Sequence, residues 1–448
     1  MNKKPHFIIQ FVCISAVLAA ILLQSFTHIV KMNPLKGFDK EEEPPVELSF
    51  KTYYDGSYQD YLTEHAKRNT GFREFFIRNY NQVAYSCFGK ITNNNIVEGI
   101  DQELYLKMYL NDVTGVSLKQ YYADIEEAKA SASENVEETL CLIDTLRQHG
   151  TKFLLVFAPS KTLVYPEKMP EYYRDRISDF SLQEYYIDLF KEKDIPHIDF
   201  LNYFRSLKDT IAYPLYTRTG THWAQSTIPM VMDSIFRKME EVTHCKLPSV
   251  KVDSLNLTTD YPVMDAELEI NMNLLFPFPK PALPCPVISL TDTGSEPQLD
   301  LLVVGDSYAD QLIYSNFVKA FRHWHYWKYN REVYSSLNYF NGKKIQTTYD
   351  ADEMLKEADL VLIICTAPMC YNFMFGFAKT AQDLYQKKGV SDEEKLQMTI
   401  ESIKANEKWM KAIEKQAKER GISVEENLQR NAKYVMEQNK KKKEQMNN

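Results

Sequence analysis

The chain has 448 residues, of which 44% are hydrophobic, and its formal net charge is −8. This apolar content is sufficient for a packed core and excludes a globally disordered chain. The acidic excess argues against nucleic-acid binding, which requires a basic face to meet phosphates. Seven cysteines show no paired spacing, and the histidines of "HWH" (His323–His325) have no third ligand nearby. We therefore expect no disulfide framework, no metal site and no cofactor.

The first 31 residues predict a cytoplasmic N-terminus and a transmembrane signal anchor. Two lysines, Lys3 and Lys4, precede the uncharged run Phe7–Phe26, which is long enough to cross a bilayer as a helix. Such lysines favour a cytoplasmic N-terminus, and the run is longer than the apolar region of a cleaved signal. We expect a single span in the inner (cytoplasmic) membrane with the bulk of the chain on the extracytoplasmic, periplasmic side. Lysines that follow the run leave the opposite orientation open.

An acidic, proline-bearing linker at residues 32–51 is followed by the main domain at residues 52–380. Aromatic and aliphatic residues at helical spacing predict one or two helices within residues 58–88. A short hairpin is expected near Glu98–Leu104. A long helix is expected over Leu118–Gln148, since a glycine soon after it is a common helix stop.

Apolar runs that end in turn residues predict the central strands. They are Thr151–Pro159, Ile195–Phe200, Leu299–Ser307 and Ala358–Pro368. Strands alternating with helices predict an α/β fold with a doubly wound parallel sheet flanked by helices. Ligands of such sheets bind at the carboxyl ends of the strands, where these turn residues should converge.

Two regions depart from the alternating pattern. Residues 246–299 hold several prolines and no clear period, which favours an insertion that shapes a cleft or an irregular surface loop. Residues 381–448 are highly charged and predict a helical C-terminal extension. Its first helix is expected from Ser391 to about Arg420, and a second helix follows a capping box at Ser423–Glu426.

The stretch "LLVVGDSYAD" presents a serine where a buried strand ends. Gly305 permits a tight turn, and Ser307 at the start of the next helix can serve as a nucleophile while the turn supplies an oxyanion hole. A free hydroxyl still needs a base. The alternative is that Asp306 or Ser307 only caps the helix.

The stretch "TRTGTHWAQ" offers that base. His222 follows a Gly-Thr turn and precedes a predicted helix, so we expect it in a loop at the strand edge. A lone histidine is more often structural, but together with the GDS turn a catalytic role is favoured.

The ordered motifs "FAPSKTLVYPEKMP", "THW" and "VVGDSYADQ" resemble the SGNH hydrolase-like domain of the AlgX/AlgJ family of alginate-acetylation proteins. The similarity spans roughly Thr52–Met374. It implies an anchored or periplasmic protein that transfers acetyl groups to exopolysaccharide hydroxyls, with a membrane-bound acyltransferase as the partner that supplies them. It also implies that Ser307 is the nucleophile and His222 the base of a catalytic triad.

The third member of the triad does not carry over, because Gly220 stands where the family has aspartate. Another carboxylate can serve, and Asp199 and Asp306 are the candidates by motif position. Alternatively, Ser307 and His222 act as a dyad, or the domain has lost catalysis and only binds glycan.

The leading hypothesis is a membrane-anchored, extracytoplasmic SGNH-like O-acetyltransferase that acts on a polysaccharide through a serine acyl-enzyme. A carbohydrate esterase, in which water replaces the sugar hydroxyl, is the alternative within enzymes. A catalytically silent glycan-binding or assembly subunit is the alternative outside them.

Overall fold

The computed structural model describes residues 4–37, 45–291, 299–336, 341–345, 350–386, 391–404 and 406–446. These residues form two compact units. The first unit comprises Met1–Lys107, Arg218–Gly220 and Ala266–Pro281. The second comprises Met108–Thr217, Thr221–Asp265 and Ala282–Asn448. The domain limits at residues 31, 51 and 380 stay predictions.

The first unit begins with helix α1 (Lys4–Thr27), whose segment His6–Thr27 is long and apolar enough to span a bilayer. Its other elements are α2 (Phe50–Tyr54), α3 (Ser57–Asn69), α4 (Arg73–Phe88), β1 (Ile96–Glu98) and β2 (Leu104–Leu106). Strands β1 and β2 are antiparallel and pair Glu98 with Leu104, which confirms the predicted hairpin. A small core of this unit consists of Ile96, Leu104, Leu268, Met272 and Phe278.

The second unit contains the remaining strands and most of the helices. Its strands are β3 (Lys152–Ala158), β4 (His197–Asp199), β5 (Val250–Thr258), β6 (Leu283–Leu290), β7 (Asp300–Gly305), β8 (His323–Lys328), β9 (Glu332–Ser335), β10 (Lys343–Lys344) and β11 (Leu360–Thr366). The helices before the insertion are α5 (Lys107–Val113), α6 (Leu118–Tyr121), α7 (Ile125–Gln148), α8 (Lys161–Val164), α9 (Glu171–Arg174), α10 (Leu182–Glu192), α11 (Phe200–Leu207) and α12 (Ile228–Thr243). Helix α13 (Val263–Met272) lies within the insertion, and its residues from Ala266 onward belong to the first unit. The helices after it are α14 (Ser307–Ile313), α15 (Ala351–Lys356), α16 (Phe377–Gln386), α17 (Asp392–Lys404), α18 (Glu407–Arg420) and α19 (Val424–Met446).

A seven-stranded sheet forms the centre of the second unit as far as the structure describes it, in the order β10-β9-β8-β7-β11-β3-β4. The five strands from β8 to β4 run parallel, while β9 and β10 add antiparallel pairs at one edge. The central strand β11 is buried along its whole length, as expected of a strand covered on both faces. The predicted α/β fold with a largely parallel sheet is confirmed.

The strand order brings the predicted motifs to one edge. Strands β7 and β11 are neighbours, and β3 pairs with the other side of β11. Because these strands are parallel, their carboxyl ends lie together. The GDS turn after β7, the "TAP" turn after β11 and the "PSK" turn after β3 therefore share this edge.

Two predicted helices are each divided in the structure. The predicted helix over Leu118–Gln148 is wrong as a single element, because Asp124 accepts a hydrogen bond from the Glu127 N–H at 2.9 Å and starts a new helix there. The predicted first helix of the extension is likewise divided into α17 and α18. Asn406 caps α18 by accepting from the Trp409 N–H at 3.1 Å.

The insertion and the C-terminal extension are both more regular than their composition indicates. Strands β5 and β6 pair antiparallel inside residues 246–299, so the reading of an irregular loop is wrong there; residues 292–298 lie outside the described part. Helices α17, α18 and α19 share a core of their own. It consists of Ile400, Ile403, Ile413, Leu428 and Ala432.

Candidate active site

Ser307 stands at the first position of α14, directly after the turn that ends β7. A Cβ atom at Gly305 would lie 3.0 Å from the Ala309 Cβ and 3.3 Å from Ile364, so a larger residue would crowd α14 and the neighbouring strand β11. Asp306 caps the helix by accepting from the Tyr308 N–H at 3.0 Å. The strand-to-helix turn predicted from "GDS" is therefore present, and the serine is the first residue of the helix.

His222 lies in a loop that folds back on itself. Tyr216 and Trp223 form a β-bridge, and the Ala224 N–H donates to the Leu215 carbonyl at 2.7 Å. The buried ammonium of Lys161, from the PSK turn after β3, donates to the Thr217 carbonyl at 2.7 Å. These bonds fix the loop that presents His222, which is itself buried.

The structure brings Ser307 and His222 together. The Oγ of Ser307 and the Nε2 of His222 are 2.9 Å apart. In the tautomer that carries its proton on Nδ1, the serine donates to Nε2, which is the arrangement that prepares a serine for attack.

Helix α14 also holds the histidine loop in place. The Tyr308 hydroxyl donates to the Thr221 carbonyl at 2.7 Å, and the Gln311 amide donates to the Trp223 carbonyl at 3.1 Å. The rings of His222 and Tyr308 pack with centroids 4.8 Å apart. The element that carries the serine thus positions the residues on either side of the histidine.

Asp306 is committed to the turn. Its Oδ2 accepts from the Thr366 hydroxyl at 2.6 Å and from the Thr366 N–H at 3.2 Å, at the end of β11. Burial raises the pKa of the Asp306 carboxyl, while the bonds from Thr366 and Tyr308 and the nearby His222 oppose that rise. Its carboxylate oxygens therefore tie the GDS turn to the neighbouring strand.

Asp199 lies elsewhere along the sheet edge. It caps α11 through the Asn202 N–H at 3.0 Å and pairs with Lys191 at 2.9 Å. Burial opposes ionisation of Asp199, but the bonds from Asn202 and Lys191 outweigh it and lower the pKa of this carboxyl. Strands β3 and β11 separate β4 from β7, a span of about 14 Å at the usual strand spacing. The structure does not bring Asp199 to His222.

Tyr329 is a site residue that sequence reasoning missed. It follows β8 with a left-handed backbone (φ 50°), and its N–H donates to the Gly305 carbonyl at 2.7 Å. Burial is the larger influence on the pKa of its phenol, and the neighbouring Ser307 opposes that influence. Burial, helped by the charge of Asp306, raises the pKa of Tyr329, so the phenol keeps its proton at neutral pH. No sequence pattern around "WKYNRE" indicates this role.

A buried polar network supports the same turn from β8. The Tyr326 hydroxyl donates to the Asp306 carbonyl at 2.8 Å and to the Asp310 carboxylate at 3.0 Å. Lys328 pairs with Asp310 at 2.6 Å. These contacts anchor the strand that leads into Tyr329 to the helix that starts with Ser307.

Asp265 is a buried carboxylate that the sequence did not single out. Its Oδ1 accepts from the Gln225 N–H at 3.0 Å, and its backbone carbonyl accepts from the Thr217 hydroxyl. Both partners belong to the loop that presents His222. Asp265 lies within the predicted insertion, where nothing in the sequence distinguishes it from six other carboxylates, Asp253, Asp260, Glu267, Glu269, Asp292 and Glu296.

The two histidines of "HWH" lie on strand β8. His323 lies 3.0 Å from the Asp300 carboxylate at the start of the sheet strands, the edge opposite Ser307. Among the described residues, no group of three His, Cys, Asp or Glu side chains is arranged to hold a metal ion.

A family model matches part of this chain. Residues 118–249 match the family model of the SGNH hydrolase-like domain of the acetyltransferase AlgX. The segment includes His222 and ends before Ser307. The resemblance to the AlgX/AlgJ type of SGNH hydrolase-like domain, predicted from the motifs, is thereby confirmed.

Several solved structures are similar to this chain at low sequence identity. The O-acetyltransferase domain of Pseudomonas putida AlgJ is 16% identical, with a TM-score of 0.39 over 64% of this chain and 99% of that chain. Pseudomonas aeruginosa AlgX is 13% identical, with a TM-score of 0.39 over 63% and 67%. Bacillus cereus PatB1 with a sulfonyl adduct is 13% identical, with a TM-score of 0.37 over 56% and 93%. No curated protein matches the sequence significantly.

Proposed function

We propose that this chain is an SGNH-type O-acetyltransferase that carries an acetyl group on Ser307 and passes it to a hydroxyl of a cell-surface or exported polysaccharide. The observation that carries the proposal is the 2.9 Å contact between the Ser307 Oγ and the His222 Nε2. Serine acyl transfer requires at least a nucleophile and a base within hydrogen-bond distance of each other. The AlgX family match over residues 118–249 supports acetyl as the group transferred.

The first half-reaction loads the serine. The Ser307 Oγ attacks the carbonyl carbon of the acyl donor while the His222 Nε2 takes its proton. The bond from that carbon to the donor's leaving atom then breaks, and the same proton passes from His222 to the leaving group. The product is an acetyl ester on Ser307.

The second half-reaction transfers the acetyl group. His222 takes the proton of a polysaccharide hydroxyl, whose oxygen attacks the ester carbon. The bond to the Ser307 Oγ breaks, and the proton returns from His222 to the serine. In both halves negative charge develops on the carbonyl oxygen. The proposed donors that stabilise it are the Ser307 N–H, at the start of α14, and the protonated phenol of Tyr329.

An aromatic pair near the same edge supports a glycan substrate. Tyr121 stacks on Tyr371 with ring centroids 5.0 Å apart and an interplanar angle of 18°, and Tyr121 is exposed. Tyr371 belongs to the segment that follows β11, the strand beside β7. Exposed aromatic rings bury apolar area at low entropic cost while their hydroxyls stay wet, which suits the mixed faces of a sugar chain.

Helix α1 supports the proposed location. A single span with the catalytic unit outside the cytoplasm would place Ser307 beside an exported polysaccharide. No soluble acyl donor is expected there, so a membrane-bound acyltransferase is the proposed partner that supplies acetyl groups across the bilayer.

The test uses the full chain in detergent micelles with 4-nitrophenyl acetate as donor and an unacetylated oligosaccharide as acceptor. We expect an acetylated serine peptide containing Ser307 and acetylated oligosaccharide, both lost in Ser307→Ala and His222→Ala. Ser206→Ala is the matched control, because Ser206 is exposed on α11 and bonds only the Tyr203 carbonyl.

The outcomes separate the alternatives. Release of free acetate with no acetylated oligosaccharide would exclude the transferase hypothesis and support the esterase hypothesis. A third outcome is that the wild-type protein is not labelled and hydrolyses the ester no faster than the two active-site variants. It would exclude both the transferase and the esterase hypotheses and leave the silent glycan-binding subunit.

A further inference from the structure

We propose that Asp265 is the carboxylate that orients His222, in place of the aspartate that the family carries at the position of Gly220. Asp265 is a positioning residue in this proposal, because it acts through the imidazole. The inference rests on the proposed function, since an oriented imidazole matters only where His222 serves Ser307.

The placement of Asp265 is the first argument. Its backbone carbonyl accepts from the Thr217 hydroxyl, and its carboxylate accepts from the Gln225 N–H at 3.0 and 3.3 Å. Thr217 and Gln225 lie on the two arms of the loop that presents His222. The isolated bridge between Tyr216 and Trp223 holds these two arms together beside His222. Asp265 is therefore fastened to both arms around the histidine.

The direction of the imidazole is the second argument. Its Nε2 meets Ser307 at 2.9 Å, so an orienting acid has to reach Nδ1 on the other side of the ring. Asp306 directly precedes Ser307 and its oxygens are held by Thr366 and Tyr308. Asp265 is held instead by the two arms of the loop that carries His222.

Charge and burial are the third argument. The Asp265 side chain is buried, and the neighbouring Cys285 thiol has a pKa raised by burial and by the negative charge of Asp265. An ionised carboxylate in a buried setting favours the charged form of an adjacent imidazole. The groups that face His222 from α14 are Asp306 and the neutral phenol of Tyr308.

Under this proposal the chain has lost the aspartate of the family motif but still uses a carboxylate to orient the histidine. The acid two residues before the histidine is replaced by Gly220, and a carboxylate supplied by the insertion at residues 246–299 takes its role. Gly220 is not among the residues with a positive φ, so its backbone conformation does not by itself exclude an L-residue.

The first experiment reads the imidazole directly, without turnover. Nitrogen NMR of histidine-labelled full-length chain in micelles gives the tautomer of His222, assigned by the signal that His222→Ala removes. We expect the wild type to carry its proton on Nδ1 and Asp265→Asn to lose that preference. The asparagine keeps an acceptor for the Gln225 N–H, so the loop stays anchored. Asp199→Asn is the matched control and should leave the tautomer unchanged.

The second experiment reads the reaction. Asp265→Asn should lower kcat for ester turnover by roughly 100-fold or more. It should also move the acidic limb of the pH–rate profile to lower pH, because the imidazolium loses its stabilising charge. Adding Gly220→Asp to Asp265→Asn should restore at least about a tenth of the wild-type rate, since it returns a carboxylate to the family position.

A purely structural role gives a different pattern. It would leave the His222 tautomer and the pH profile of Asp265→Asn at wild type, and only Asp265→Ala, which also loses the bond to Gln225, would be impaired. That pattern overturns the inference. If wild type shows no acyl transfer but Asp265→Asn still changes the tautomer, the proposed function fails while the placement of Asp265 stands.

Discussion

The bond from Thr366 to Asp306 offers a sharp test of how the nucleophile turn is held. Thr366→Val keeps the shape of the side chain and removes the hydroxyl that donates to Asp306 at 2.6 Å. The Thr366 N–H still donates to the same oxygen at 3.2 Å. A hydrogen bond to a charged group contributes about 1.5–3 kcal/mol, so we expect the free energy of unfolding to fall by about 2 kcal/mol at pH 8.

The effect should depend on pH with a defined sign. Burial raises the pKa of Asp306 in the folded chain above its unfolded value, so ionisation of this carboxyl destabilises the folded state as pH rises through the folded pKa. Removing a donor to the ionised form increases that cost. The loss caused by Thr366→Val should therefore be largest at pH 8 and shrink as the pH falls and Asp306 takes up a proton.

The assay is urea unfolding of the full chain in micelles, followed by tryptophan fluorescence at pH 8 and pH 5. Thr145→Val is the control, because its hydroxyl donates to the Cys141 carbonyl on an exposed helix face, where a change within about 0.5 kcal/mol is expected. Equal losses in the two variants, or a Thr366→Val loss that grows toward low pH, would refute the assignment of Asp306 as the anchor of the turn.

Three further predictions concern transition-state charge, glycan binding and topology. Tyr329→Phe should lower kcat for 4-nitrophenyl acetate by about 100-fold with little change in KM, because one stabilising donor is lost; an unchanged kcat would exclude the phenol from the oxyanion site. Tyr121→Ala should raise KM for the oligosaccharide acceptor while turnover of the small ester stays at wild type. Tyr172→Ala, another exposed tyrosine, is its control and an equal rise there would contradict the stacking role. An export-dependent reporter fused after Asn448 should be active and a cytoplasmic one inactive, and the reverse result would refute the proposed orientation.

The pairing of Ser307 with His222 was predictable because both residues follow recognisable local signals. The apolar run before Gly305 identifies a strand, and parallel strands deliver their carboxyl ends to one edge. The histidine loop precedes the helix Ile228–Thr243. What the motifs could not supply was the 2.9 Å separation, which depends on bonds from Tyr308 and Gln311 across about ninety positions of sequence.

Tyr329 and Asp265 were not predictable from local sequence for physical reasons. Tyr329 reaches Ser307 through a left-handed backbone at the end of β8, and a tyrosine is an uncommon residue in that conformation. Asp265 is more than forty positions from His222 in the sequence. It lies in a proline-containing segment whose composition does not indicate regular structure. A single sequence contains no pattern that relates such residues to a site, because their neighbours are determined by tertiary packing.

The contacts around the nucleophile explain why Asp306 and Asp265 take different places despite both being buried. Asp306 precedes Ser307 in the chain, and its carboxylate accepts from Thr366 at the end of β11. A carboxylate held there cannot also turn toward the Nδ1 of His222, because the Nε2 of that ring meets Ser307. Asp265 is anchored at Thr217 and Gln225, which lie on either side of His222 in the loop that presents it. The anchoring pattern therefore favours Asp265 as the partner of His222 and leaves Asp306 as the support of the turn.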